Sequence, residues 1–255
     1  MLWQKSWLDT RWRFLIGFAL MTCGAVFIVT LYVRVRGLLP QLSALDPGSS
    51  ELGRIIREAA ELQKTYRGFI WSQWFRQTPT QTGTLFAILL GSGGLLSQGA
   101  AGQLFTLSLP VSRARLVGAR AATGLAEWAA MALAPSLVIP LLSPAIGESY
   151  PFSTALVHGL CIFVGGAVFF SLAVLLSTTF TDLWRPLLIA LAVAIVGGVI
   201  ELAVVGPTRF GTFCVMTGEN YFRTGVVPWG GLVVNAAIAV ALLYGARVAL
   251  EHRDF

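Results

Sequence analysis

The sequence predicts an all-α polytopic membrane protein, and three observations lead there. Of its 255 residues, 56% are apolar and only 12% charged, where a soluble domain carries about 25% charged residues. The mean hydropathy is +0.74. The apolar residues come in unbroken blocks of about 20, as spanning helices require, rather than in the alternation of a β-barrel. A soluble globular domain and a disordered chain are both excluded.

Six blocks have spanning length: Phe14–Val33, Thr82–Ala101, Ala122–Leu142, Thr154–Thr178, Leu187–Val205 and Val227–Leu250. An even number puts both termini on one side. The first block exceeds the apolar region of a secretory leader, and Arg34 and Arg36 follow it without a small-residue cleavage site. With the termini inside, basic residues divide nine and nine, but seven of the outer nine lie in the long loop 34–81. Without that loop the count is nine against two, which favours cytoplasmic termini and a multi-pass protein of the plasma (inner) membrane. The formal charge of +6 then points to anionic lipid head groups and not to nucleic acid.

The connections carry their own signals. Residues 2–13 hold Trp3, Trp7 and Trp12 with Lys5, Arg11 and Arg13, which reads as an interfacial helix feeding the first span; a plain flank of that span is the alternative. In the outer loop 34–81, Asp46–Ser50 is turn chemistry, and Leu52, Ile55, Ile56, Ala59, Leu62, Tyr66, Phe69 and Ile70 recur at helical spacing. An amphipathic helix over 51–76 is expected there, lying on the bilayer or on a partner subunit. Residues 206–226, too short and too polar to cross, read as a re-entrant outer segment held against protein.

Several chemistries are excluded by composition. Lys5 and Lys64, the two lysines, follow glutamines, so neither completes a phosphate-binding loop. His158 and His252 are the two histidines and cannot build a His-rich metal site; no metal is expected. Cys23, Cys161 and Cys214 are too scattered for a disulfide framework. Ser92 and His158 resemble the pair of rhomboid-type intramembrane proteases. However, Ser92 falls near mid-span and His158 near an outer end, so an intramembrane hydrolase is a remote alternative.

Glu127, Glu201 and Asn235 are polar residues within the apolar blocks. Burying such groups costs several kcal/mol unless they are paired. Two roles stand open: a transport path, or interhelical pairing, with Arg120 and Arg209 in reach of the two glutamates. Gly91, Gly93 and Gly94, with Gly197 and Gly198, allow close helix approach, either between two chains or within one.

The most patterned connection is the inner loop 102–120. Leu104, Leu107 and Leu109 form an apolar ridge, Pro110 stops a helix, Val111 and Ser112 follow, and Ser112 can cap the next helix, which opens with Arg113 and Arg115. This stretch resembles the inner loop of ABC-type-2 exporter permeases, in which a Gly-Thr-Leu-x-x-Leu-Leu-Ser-Leu-Pro-Val-Ser-Arg pattern precedes a Gly-Lys pair. Gly102, Leu104, Leu107, Ser108, Leu109, Pro110, Val111, Ser112 and Arg113 match, and Gly118 and Arg120 stand near the Gly-Lys position. Leu2-Trp3-Gln4-Lys5-Ser6-Trp7 and the terminal Arg253-Asp254-Phe255 extend the likeness, which is closest to the subgroup holding the nitrous-oxide-reductase maturation permease. Where that family often has a glutamate before the glycine, this chain has Ser97 and Gln98.

The resemblance implies one permease domain over 1–255, with 102–120 as the loop that couples it to ATPases. It implies two copies of a separate ATP-binding subunit, which bind ATP and Mg²⁺. It also implies a second permease chain, in a homodimer or heterodimer. This chain would bind no cofactor and carry no ATPase site. A second reading is a mechanotransmission subunit that acts on an extracytoplasmic partner through the outer helix.

Overall fold

The computed structural model describes residues 2–43, 61–92, 113–180, 182, 184–201, 203 and 210–252. Among them the chain is helical and contains no strand. Helix α1 spans Leu2–Ser43, α2 Tyr66–Ile70, α3 Thr84–Ser92, α4 Arg113–Leu142, α5 Phe152–Thr179, α6 Trp184–Ile200, α7 Thr212–Thr217, α8 Glu219–Thr224 and α9 Trp229–Glu251. A π-helical turn, Trp71–Phe75, continues α2, and another, Pro79–Gly83, leads into α3.

Four helices are long and apolar enough to cross a bilayer: Trp3–Gly37, Arg115–Ile146, Phe152–Thr179 and Trp229–Glu251. They correspond to the first, third, fourth and sixth predicted spans. The fifth, expected over 187–205, is helical as α6 for 17 residues. Residues 201 and 203 are helical as well, and 202 and 204–209 lie outside the described residues. The second is described only over its first half, where α3 has 9 residues. The six-span expectation therefore reduces to four spanning helices among the described residues.

Helix α5 is the centre of the bundle. Its apolar window is 61% buried, against 22% for α1 and α9, and it packs against α3, α4, α6, α7 and α9. Small residues permit this. A Cβ on Gly91 of α3 would stand 2.5 Å from the Phe170 carbonyl oxygen and 2.8 Å from Ala173 Cβ of α5. On α5 itself, Gly166 faces the Trp128 indole of α4, and Gly159 faces Leu133 and Ala132. Gly91 thus serves packing within one chain. Gly93 and Gly94 lie outside the described residues, Gly198 faces Phe213, and Gly197 meets nothing within 4 Å.

Contacts order the helix ends. Thr10 and Arg13 of α1 touch Glu127 and Leu89, and Ser177 near the end of α5 reaches Gly91. Gly245 of α9 faces Leu175 of α5. The start of α1, the end of α3, the start of α4 and the ends of α5 and α9 therefore share one end of the bundle. At the other end Arg36 pairs with Glu148 and Tyr66 with Ser143, beside the short helices α2, α7 and α8.

Two local expectations are corrected. Residues 2–13 are not a separate interfacial element: α1 runs unbroken from Leu2 to Ser43. No glycine or proline interrupts the chain before Phe14. The outer helix expected over 51–76 is also not continuous. Thr65 leaves the helix with φ −104° and ψ 141° and caps α2 by accepting from Gly68 N–H. Beyond that break Phe69, Ile70, Trp71, Trp74 and Phe75 are fully buried. They join Met21, Ala25 and Tyr32 of α1 in the main core, so this stretch packs inside the chain instead of lying on a bilayer. Residues 51–60 lie outside the described residues.

The segment expected as re-entrant folds over 210–225 as α7 and α8, hinged at Gly218 in the left-handed conformation, φ 61°. Helix α7 packs on α5.

Candidate functional site

Of the inner-loop residues, Leu104, Leu107, Leu109, Pro110, Val111 and Ser112 lie outside the described residues. Arg113 opens α4, and Arg115, two residues further, is exposed at the end of the bundle where α1 starts and α9 ends.

Next to that point, α1, α3 and α4 bring polar groups together in the interior. Thr10 Oγ1 donates to Glu127 Oε1 at 2.5 Å, and Arg13 Nη1 donates to the Leu89 carbonyl at 2.9 Å. Glu127 is 4% exposed and Arg120 8%. Glu127 Oε2 and Arg120 Nε and Nη2 are buried without a hydrogen-bond partner among the described residues. The expected pairing of Glu127 with Arg120 is not made; Thr10, 117 residues away, takes its place. Sequence alone offered little sign of Thr10: with Ser6 it is one of two hydroxyls among tryptophans and charged residues.

Glu201 and Asn235 converge on one target. Glu201 Oε1 and Oε2 accept the backbone N–H groups of Cys214 (2.6 Å) and Phe213 (3.0 Å), which are free donors of the first turn of α7. Gly211 leaves the room for that carboxylate. Asn235, fully buried, donates through Nδ2 to the carbonyls of Gly231 and Phe210 and accepts from Thr212 Oγ1 through Oδ1. These bonds pin 210–214 to the residue that follows α6 and to α9. Arg209, the expected partner of Glu201, lies outside the described residues. Burial raises the Cys214 thiol to about 11, and the Glu219 and Glu201 carboxylates add to the rise.

At the opposite end His158 sits in an aromatic enclosure. Its ring stacks on Phe75 at 4.4 Å and meets Tyr221 edge-on at 5.4 Å. Both ring nitrogens and the nearby Tyr150 hydroxyl lack hydrogen-bond partners. Burial pushes the Tyr150 hydroxyl up, and Arg67 offsets part of that. Tyr66 is raised by burial and partly restored by its 2.7 Å hydrogen bond with Ser143.

Ser92 and His158 are kept apart. Ser92 Oγ donates to the Leu89 carbonyl, and its neighbour Gly91 abuts Phe170 and Ala173. His158 lies 12 to 15 residues before those two on the same helix, about 18–22 Å away. The geometry offers no Ser–His pair. Among the described residues no group of three His, Cys, Asp or Glu side chains could hold a metal ion.

No family model, curated protein or solved structure matches this chain.

Proposed function

We propose that the chain is the transmembrane permease subunit of an ATP-binding-cassette exporter, working with two separate ATP-binding subunits and a second permease chain. The observation that carries this reading is the run Gly102–Arg113, an apolar ridge closed by Leu-Pro-Val-Ser-Arg. Such a ridge is unfavourable in water and suits a docking groove. It connects α3 to α4 at the end of the bundle shared by both chain ends. The all-helical fold with four spanning helices also supports the reading.

In this scheme Leu107 and Leu109 fill the groove of the ATP-binding subunit, and Arg113 presents a planar fork of donors to an interface carboxylate. Closure of the ATP-bound pair then pushes on α3 and α4, and α5 passes the movement to the rest of the bundle. The mechanotransmission reading relied on a free outer helix. With Tyr66, Phe69, Ile70, Trp71, Trp74 and Phe75 buried, less of that surface is open to a partner.

The test co-expresses the chain with candidate ATP-binding subunits from the same genome. Leu107→Asp and Arg113→Glu should leave the chain in the membrane, weaken the complex by about 2 kcal/mol each, and uncouple ATP hydrolysis from transport. Wild-type complex formation and coupling in both variants reject the reading. ATP-driven solute movement in sealed vesicles without an outer partner rejects the mechanotransmission alternative.

A further inference from the structure

A cavity of about 540 Å³ opens where the turn after α8 enters α9, with Phe210, Asn220, Thr224, Val226, Trp229 and Gly230 among its walls. That volume falls within the range of small-molecule sites, about 300–1,000 Å³. Phe210, Val226 and Trp229 line it while remaining 58%, 67% and 65% exposed, so its mouth faces the surroundings and not the bundle interior. Trp229 is the first residue of an apolar helix long enough to span. The mouth therefore lies at the boundary between head groups and hydrocarbon, where tryptophan concentrates.

The lining is graded. Val226, Trp229 and Phe210 make an apolar wall, and Gly230 keeps the first turn of α9 bare. Asn220 supplies the polar edge. Among the described residues its Nδ2 meets Cys214 Sγ at 4.0 Å, which leaves the second N–H of the amide as a donor. The Thr224 hydroxyl is already spent: it donates to the Asn220 carbonyl and accepts from Val226 N–H. One free amide at the rim of an apolar cavity matches an amphiphile with an ester carbonyl at the head of a hydrocarbon chain.

We propose that this cavity is a lipid site, which takes one acyl chain of a bilayer phospholipid and donates the Asn220 amide to its ester carbonyl. The site depends on the chain being embedded in a membrane and not on its being a permease, so it stands or falls separately from that reading.

The test places the chain in nanodiscs of phosphatidylcholine and phosphatidylglycerol doped with phosphatidylcholine that carries a diazirine on its acyl chain. After illumination, adducts are mapped by peptide mass spectrometry. The exposed apolar face of α6, at Val193 and Val196, reports ordinary annular lipid. Residues 224–231 should collect more adducts than that face. Gly230→Leu should remove the excess and leave the α6 adducts unchanged. The variant is tolerable because a Cβ there would stand 3.2 Å from the ring of Phe210, an exposed side chain that can move. Asn220→Leu, on the surface helix α8, should also lower the excess. Equal labelling of the two regions overturns the proposal, as does an excess that persists in both variants.

Discussion

Replacing Glu201 by glutamine keeps the shape of the side chain and removes its charge. In the native chain the carboxylate receives two backbone N–H groups, from Cys214 at 2.6 Å and Phe213 at 3.0 Å. An amide has one acceptor oxygen, so one of these bonds must go, and its NH₂ then faces a backbone N–H, donor against donor. A hydrogen bond to a charged group contributes about 1.5–3 kcal/mol. At about 1.4 kcal/mol per factor of ten, the opening equilibrium of the first turn of α7 should rise about 10- to 100-fold. Hydrogen–deuterium exchange of a peptide covering 210–218 reads those two amides directly, while a peptide from the middle of α5 serves as the internal reference. Faster exchange confined to 210–218 is expected in Glu201→Gln, and also in Glu201→Asp, whose shorter side chain cannot reach. Unchanged exchange at 210–218, or equal acceleration in α5, would refute the assignment of Glu201 as the residue that holds this turn.

Three other outcomes are expected. Gly91→Leu forces a side chain against the Phe170 carbonyl and should cost about 1–3 kcal/mol or more in denaturant unfolding from detergent; wild-type stability would mean that α3 and α5 are not in contact there. Gly218→Ala places a Cβ at φ 61° and against His158 Nδ1, so its thermal midpoint should fall, with His158→Ala in the same chain recovering part of the loss. In a variant retaining only Cys214, the thiol, held at about 11 against an ordinary 9.0 mainly by burial, should resist maleimide at pH 7.5 and label on unfolding. Because a raised thiol keeps its proton longer in the folded chain than in the unfolded one, the linked stability is constant below pH 9 and declines between pH 9 and 11. Increasing stability across that interval would contradict the burial.

Four spanning helices were legible because hydropathy summed over about 20 residues outweighs any local ambiguity. The aromatic run 69–75 was misjudged for a physical reason. Tryptophan and phenylalanine suit a head-group layer and a protein core equally well, and periodicity does not distinguish them. The break before it was written in weaker signs, Thr65 as a cap with Gly68 three residues on. The α1 continuity was hidden by composition: Trp3, Trp7 and Trp12 signal an interface without requiring a bend. Likewise, Glu201 was recognisable as a residue in need of a partner. Its partners are backbone N–H groups, which carry no side-chain signature in a sequence.

On the permease reading proposed above, the same logic narrows where a solute would meet this chain. A transport path needs polar atoms that are not already committed to holding the fold. Glu201 spends both oxygens on α7, and Asn235 spends its amide on Gly231, Phe210 and Thr212. Trp128 and Trp71 likewise donate their indole N–H groups to the Phe163 and Thr217 carbonyls. Of the three polar residues singled out in the apolar blocks, only Glu127 keeps an uncommitted buried atom, Oε2, and Arg120 keeps two nitrogens. They are seven residues apart on α4, so they share one face about 10 Å apart along the axis. Glu127 Oε1 takes the Thr10 hydroxyl and Arg120 lies in the field of the Asp9 carboxylate, yet each keeps uncommitted polar atoms in the interior, where they are costly to maintain. On the permease reading, the face that Arg120 and Glu127 share, towards the start of α4, and the His158 enclosure at the other end of the bundle are where variants that alter transport should be sought.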